Sequence, residues 1–397
     1  MSEKEHTSEK GEQYRPRVLI CIPVLLTGGT EMQTLHLVRT LIAGNYRVTI
    51  CCYHEYEENI AACFRESGAA VILLNLDRKQ GIFRLFRSLR RVFMEFQDAV
   101  VHVQYISPGL LPIIAARLGG IRTVFATVHQ PGRTYGLRAK CFLRVASLLA
   151  TAFFCVSRSA EESWFGNSAV FAPDSGKRRR HYTIYNMVDV ARIERIVKAT
   201  DRLQLKKISG LEGNMVIGIV ARLRAEKGHE TLLRAMSEVV GTVPEACLLV
   251  IGDGPDRARL DELAGTLGSR QHIRWTGEKS PDSVFPYYAV MDAAVVPSRF
   301  EGFGLTAAEA MAAGVPVIGS DIDGLREVIE NGVTGYLSRA GDSHELARKL
   351  ILLLSDAERR KHMGKAGYDR VVRHFSPEHF SRAILAAYSR LSRIHPS

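Results

Sequence analysis

The sequence predicts an α/β protein of two domains, each a doubly wound parallel sheet. Three observations predict it. Short apolar runs rich in Val, Ile, Phe and Cys recur through both halves without strict alternation, as in strands covered on both faces. Helical patterns separate these runs, and strand–helix–strand repetition builds parallel sheets. A polar, charged stretch at 191–213 lies between the two series and reads as a linker. At 397 residues the chain is long enough for two domains of ordinary size.

In chain order, residues 1–17 are polar and lack an apolar core, so they read as a disordered lead-in and not as a secretory signal. The first domain, 18–190, carries expected strands at Val18–Val24, Val48–Tyr53, Ala70–Leu74, Ala99–Gln104, Thr123–His129 and Ala152–Val156. Its expected helices are Thr30–Ala43, Ile82–Phe96, Leu110–Leu118 and Gly136–Ala150. The second domain, 214–376, carries strands at Met215–Val220, Ala246–Ile251, His272–Trp275, Ala293–Val296 and Pro316–Gly319. Helices are expected there at His229–Val239, Pro255–Leu267 and Thr306–Ala313, and two more, Asp356–Arg373 and Pro377–Arg393, follow all the strands.

No apolar run reaches the roughly 20 residues that span a bilayer. The seven cysteines sit mostly in apolar segments and form no Cys-x-x-Cys, which fits buried thiols in a reducing cytoplasm better than a disulfide framework or a zinc site. The net charge of +11 is one-sided: residues 1–200 carry +10 and residues 201–397 carry +1. Residues 78–180 hold 17 Lys and Arg against 5 Asp and Glu. Within them Ile82, Leu85, Phe86, Leu89, Phe93 and Phe96 form one helix face, and Arg84, Arg87, Arg91 and Glu95 another. Lys177 to Arg180 add a second basic patch. Such a field favours an anionic membrane surface. Nucleic acid is disfavoured, because no aromatic-interleaved recognition motif accompanies the charge.

The chemistry-bearing residues cluster just after strands, where open parallel sheets bind ligands. Glu301 and Glu309 stand eight apart around Gly302, Phe303, Gly304 and Leu305, between an apolar strand and a short helix. Free backbone N–H groups at such a helix start suit phosphate, and two carboxylates suit sugar and ribose hydroxyls. Thr306-x-x-Glu309 also spells a capping box, so Glu309 could close a helix end instead. Gly28 and Gly29 make a turn into the first helix and permit close backbone approach. They do not spell Gly-x-Gly-x-x-Gly, which disfavours a dinucleotide cofactor. Arg222 and Lys227 flank a loop after a strand, as two cations gripping a diphosphate would, or as solvated surface charges. Gly252 follows another strand. His129 ends one and faces the same region. Asp321-Ile322-Asp323 spells Asp-x-Asp, a weak metal pattern.

Together these motifs resemble the retaining glycosyltransferases of family 4: Gly28-Gly29-Thr30-Glu31, Arg222-Leu223-Arg224-Ala225-Glu226-Lys227-Gly228, Gly252-Asp253-Gly254-Pro255 and Glu301-x7-Glu309. The resemblance implies the GT-B fold, two Rossmann-like domains facing a central cleft, with the last helix, 377–397, crossing back to the first domain. It implies that Arg222 and Lys227 hold the donor diphosphate, Glu309 the ribose and Glu301 the sugar. It also implies that backbone N–H groups from Phe303 to Leu305 approach sugar and phosphate, that His129 helps position the sugar, and that Gly28, Gly29 and Gly252 lie against donor or acceptor. The sequence departs from the family at Gln130, at Met187 and at Asp323, where family members commonly carry Asp or Gly, Gly, and Gly.

The expected function is transfer of a sugar from a nucleotide donor, UDP- or GDP-linked, onto a lipid-linked or saccharide hydroxyl in cell-envelope or exopolysaccharide synthesis. No cofactor or metal is expected, because Arg222 and Lys227 supply the positive charge. The expected setting is cytoplasmic, with peripheral attachment to the inner face of the membrane. A nucleotide-sugar epimerase and a non-catalytic nucleotide-sugar-binding scaffold are the alternatives.

Overall fold

A computed structural model describes residues 15–104, 110–173 and 179–392. The first series of elements runs β1 (Arg17–Ile22), α1 (Gly29–Ala43), β2 (Arg47–Cys52), α2 (Glu58–Glu66), β3 (Ala70–Leu73), α3 (Gly81–Glu95), β4 (Val100–Gln104), α4 (Leu110–Leu118), β5 (Thr123–Val128), α5 (Leu137–Leu149), β6 (Ala152–Cys155), α6 (Arg158–Phe165) and β7 (His181–Thr183). Its strands form one sheet in the order β3-β2-β1-β4-β5-β6-β7. β1 is parallel to β2 and β4, with Val18 opposite Val48 and Val100. Val18 to Ile22 are fully buried, so a central strand takes apolar residues on both faces, and the missing alternation is explained.

The second series runs α7 (Val190–Ala199), α8 (Arg202–Ile208), β8 (Met215–Val220), α9 (His229–Thr242), β9 (Ala246–Ile251), α10 (Arg257–Thr266), β10 (Ile273–Trp275), α11 (Pro281–Tyr288), β11 (Ala293–Val296), α12 (Leu305–Ala312), β12 (Val317–Ser320), α13 (Asp323–Val328), β13 (Gly335–Ser338), α14 (Ser343–Leu354), α15 (Ala357–His374) and α16 (Pro377–Leu391). Its sheet order is β10-β9-β8-β11-β12-β13. Two apolar clusters cover it. One joins Leu249, Ala294, Val317 and Met311 to α7 and α15; the other joins Ile217, Leu248, Val295 and Leu350 to α9 and α14.

The sheets change over between β7 and β8, while compactness divides the chain elsewhere. One unit takes residues 1–126, 144–152 and 384–397, the other 127–143 and 153–383. Residues 191–213 are not a simple linker. Asp189 caps α7 by accepting from the Arg192 N–H at 3.0 Å, and Val190 and Ile193 are buried with the second sheet's core. Of the lead-in 1–17, residues 1–14 lie outside the described residues and Arg17 opens β1. The second basic patch falls partly outside them too: only Arg179 and Arg180 are described.

The last helix enters the first unit at Ile384. There Tyr388 is fully buried, its hydroxyl 2.6 Å from His102 Nδ1 and its ring edge-on to Phe125. Of the apolar face expected on α3, Leu89 and Phe93 are buried, as is Phe96 beyond the helix end, together with Val92. Ile82 is 66% exposed and Phe83 85% exposed, so the expected apolar face is not covered at the start of the helix. Cys21, Cys51, Cys52, Cys155 and Cys247 are buried thiols.

Candidate functional site

The second sheet reverses its strand order between β8 and β11, which pair directly, Ala293 opposite Ile217. Loops leaving two such strands diverge and open a crevice. Both loops carry residues singled out by the sequence. After β8 come Arg222, a single 3₁₀ turn at Ala225–Lys227, and Gly228 at φ +73°. A Cβ at Gly228 would lie 1.9 Å from the Pro297 carbonyl oxygen, so glycine lets the loop touch the one after β11. The Arg299 N–H then donates to the Glu226 carbonyl at 2.8 Å and ties the two loops together.

That tie sets the central pair. Lys227 Nζ donates to Glu301 Oε1 at 2.6 Å, and Ser298 Oγ donates to the same oxygen at 2.8 Å. The two side chains are 30% and 15% exposed, so the pair is sheltered yet reachable. With both donors on Oε1, Oε2 is left to accept from a ligand hydroxyl. Three residues on, Gly304 adopts φ +101° and opens α12 without a side-chain cap, so the first N–H groups of the helix are available to an anion. The Phe303 ring is buried edge-on against Phe375, with centroids 5.1 Å apart, so only its backbone is available to a ligand. Leu305 begins the helix.

Glu309 does not cap that helix. Thr306 lies inside it, beyond the Gly304 cap, and Glu309 Oε2 instead accepts from the Tyr288 hydroxyl at 3.2 Å. Burial pushes the Glu309 carboxyl up to about 7, opposed by the Tyr288 hydrogen bond.

The loop after β9 leans on the same framework. Gly252, at φ +138°, has no room for a Cβ, which would stand 2.1 Å from the Ala221 carbonyl oxygen. Its N–H donates to the Gly277 carbonyl at 2.9 Å. Arg222 is exposed and, with Arg224, Asp253, Gly254, Pro255 and Glu278, lines an open hollow of about 410 Å³.

His129 follows β5 and belongs to the same compact unit. A Cβ at Gly302 would stand 1.9 Å from the His129 carbonyl oxygen, so the Glu301 loop and the His129 loop are in contact. Each loop is also bonded to α6 or its N-cap: Ser157 Oγ donates to the Gly302 carbonyl at 2.6 Å, and Trp164 Nε1 to the Gln130 carbonyl at 2.8 Å. Burial pushes the His129 imidazole down to about 3, so it is neutral at pH 7 and acts as a hydrogen-bonding group, not a cation. The structure thus brings together His129, Arg222, Lys227, Gly252, Glu301, Phe303, Gly304, Leu305 and Glu309 in one unit. Gly28 and Gly29, the uncapped start of α1, belong to the other.

Residues 27–192 match the family model described as Glycosyltransferase Family 4, and residues 201–370 match Glycosyl transferases group 1. The chain belongs to glycosyltransferase family 4. The N-acetyl-alpha-D-glucosaminyl L-malate synthase of Bacillus anthracis is 34% identical over 197 residues, 49% of this chain and 50% of that protein. The lipopolysaccharide core biosynthesis mannosyltransferase LpsB of Rhizobium meliloti is 30% identical over 229 residues, 55% of this chain and 65% of that protein. The chain spans about half the length of the first of these relatives. Anabaena HepE, solved in complex with UDP and glucose, superposes with a TM-score of 0.79 at 18% identity, covering 94% of this chain and 99% of that one. The fold is therefore GT-B, two Rossmann-like parallel-sheet domains.

Several supporting residues of this family-4 chain carry no mark in the sequence. Ser298 and Tyr288 hold the two glutamates, and Glu327 accepts from the Arg158 and Ser159 N–H groups at 2.9 and 2.8 Å, capping α6. Asp323 is engaged by Arg133 at 3.1 Å and Asp321 by Arg326 at 2.5 Å. Arg326 holds the Asp321 carboxyl below its ordinary range.

Proposed function

We propose that this chain transfers a sugar from a nucleotide-sugar donor, with retention, onto a hydroxyl of a lipid-linked or saccharide acceptor in cell-envelope or exopolysaccharide synthesis. The observation that carries the reading is the Lys227–Glu301 pair beside the uncapped start of α12. It sets a cation for the leaving diphosphate against a carboxylate for the sugar. When the glycosidic bond breaks, negative charge grows on the leaving phosphate, and fixed charges from Lys227, Arg222 and the helix start stabilise that state over the ground state. Neutral His129 donates to or accepts from the sugar. Retention rests on the family resemblance. The relative from Rhizobium meliloti supports a saccharide acceptor, and HepE supports a UDP-linked donor.

The deciding experiment follows nucleotide release from a panel of UDP- and GDP-sugars with and without acceptor, each in EDTA. Release that needs acceptor and survives EDTA is expected. Conversion of the donor alone indicates the epimerase, and binding without release the scaffold. Loss in EDTA restored by Mg²⁺ or Mn²⁺ would return Asp321 and Asp323 to consideration as metal ligands.

Glu309 makes a pH-dependent prediction. From the ordinary carboxyl value of 4.5 up to about 7, the unfolded chain ionises while folded Glu309 keeps its proton. Stability therefore falls as pH rises through that window and levels off above it, by no more than about 3 kcal/mol, since the group is partly exposed. Glu309→Gln should flatten that fall in urea melts at pH 4.5–7.5. Above pH 7, where folded Glu309 is ionised, it should also raise the donor KM, because ribose hydroxyls lose a charged acceptor. A wild-type KM would remove Glu309 from the donor site.

The same reading extends to a membrane surface. On α3 the exposed Ile82 and Phe83 sit beside Arg84, Arg87 and Arg91, a combination suited to anionic headgroups with shallow insertion. No described helix is long and apolar enough to cross a membrane. The protein is expected to bind vesicles rich in anionic lipid and to leave them at high salt, each arginine contributing about 1 kcal/mol. Charge reversal at Arg84, Arg87 and Arg91 should abolish binding without changing donor affinity. Equal binding to neutral vesicles would overturn the assignment.

A further inference from the structure

The Lys227–Glu301 pair gives the proposed donor site a contact that its own ligand must break. Lys227 Nζ lies 2.6 Å from Glu301 Oε1, so a cation suited to a diphosphate and a carboxylate suited to a sugar neutralise each other in the protein alone. A lysine that turns to an arriving phosphate gives up that partner. The carboxylate it leaves is 15% exposed, too sheltered for water to replace the cation in full.

The structure separates what can move from what cannot. The backbone at Lys227 is locked. It ends a 3₁₀ turn, Gly228 follows at φ +73° against the Pro297 carbonyl, and the Glu226 carbonyl accepts from the Arg299 N–H at 2.8 Å. The lysine side chain is a compact charge on a flexible stem, 30% exposed, and can turn from one anion to another without disturbing that loop. Ser298 is the opposite case. It is 1% exposed, stands three residues before Glu301 on the same loop, and donates to Glu301 Oε1 at 2.8 Å. A ligand cannot reach that hydroxyl, so the bond remains when the lysine leaves and the carboxylate keeps its place.

We infer, on the reading of this site as one for a nucleotide-sugar donor, that Lys227 exchanges partners when the donor binds, passing from Glu301 to the diphosphate, and that Ser298 is the positioning residue that holds Glu301 for the sugar. The intact donor offsets the broken pair, because its sugar hydroxyls donate to the carboxylate that the lysine gave up. The nucleotide product does not. It takes the lysine and leaves Glu301 with a neutral hydroxyl in place of a cation. Return of Lys227 to Glu301 then favours product release. The pair thus discriminates between a nucleotide sugar and the bare nucleotide, two ligands that share the same diphosphate.

Calorimetric titration with UDP and with GDP tests the exchange in the wild type, Glu301→Gln, Lys227→Ala and the double variant. Glutamine keeps the shape of the side chain and an oxygen for Ser298, so Glu301→Gln is expected to fold. It should bind the bare nucleotide about fivefold more tightly than the wild type, and that gain should shrink below about twofold where Lys227 is already alanine. An equal gain in both backgrounds means plain repulsion between carboxylate and phosphate, and no gain means that the lysine stays on Glu301. Either result overturns the exchange. Failure of the donor-site reading looks different: Glu301→Gln protein would bind nucleotide equally well with and without Lys227. Ser298→Ala tests the positioning role, with the donor that the nucleotide-release panel selects. The preference for nucleotide sugar over bare nucleotide should narrow about tenfold, the effect of a misplaced charged acceptor. A merely structural serine would weaken both ligands in proportion, and an unchanged preference overturns its role.

Discussion

Replacing Lys227 by alanine lowers kcat at saturating donor by about 10²–10³, the usual loss when one fixed donor is removed from a site of developing negative charge. The expected loss has a second component. Lys227 is the cation against Glu301, and removing it leaves a carboxylate 15% exposed with only a neutral hydroxyl, that of Ser298, on the oxygen Lys227 held. A partly buried charge without its counter-ion costs stability. Lys227→Ala should therefore lower both turnover and the thermal midpoint. Arg222→Ala, at an exposed position, should lower turnover by a similar factor. Single-turnover kinetics beside a thermal melt separate the two effects. Wild-type turnover in either variant would remove that residue from the diphosphate site.

Gly302→Ala is the second change with a large expected effect, and it alters no charge. The new Cβ would stand 1.9 Å from the His129 carbonyl oxygen, which is backbone and cannot swing aside. Ser157 holds the Gly302 carbonyl from the other side. The Glu301 loop and the His129 loop must then part, at about 1–3 kcal/mol for overpacking. A displacement near 1 Å between groups that position a reacting sugar typically costs about 10² in rate. The expected variant is folded, modestly destabilised and about a hundredfold slower, with nucleotide binding to the second domain retained. A variant with wild-type kcat/KM would show that the His129 contact does not shape the site.

These two variants also mark where the sequence stopped being readable. β1, β8 and β9 were legible because both of their faces are buried and their composition says so. β7, three residues long, and β13, at the sheet edge and only partly buried, lack that mark. α7 and α8 hid inside a polar stretch because only Val190 and Ile193 of α7 are fully buried, while Val197 and, on α8, Leu205 are half-buried against the same core. α11 was masked by Pro281 and Pro286, the first of which sits at the helix start, where proline is tolerated. Within the site, residue types and strand-end positions were visible. The bond between Lys227 and Glu301 was not, because the partners are 74 residues apart and meet only after two loops lock. The steric demand at Gly302 was equally hidden, since it comes from a carbonyl on another loop.

The buried Tyr388–His102 contact has a consequence for how the protein is born. The two residues are 286 positions apart, and at 5–20 residues per second the ribosome delivers the second roughly 15–60 s after the first. Through that interval the N-terminal sheet is synthesised yet lacks the ring that fills its pocket beside Phe125 and Tyr46. The half made first is the half completed last. A nascent chain of this kind exposes an apolar socket to chaperones until α16 emerges, and that helix acts as the latch that releases it.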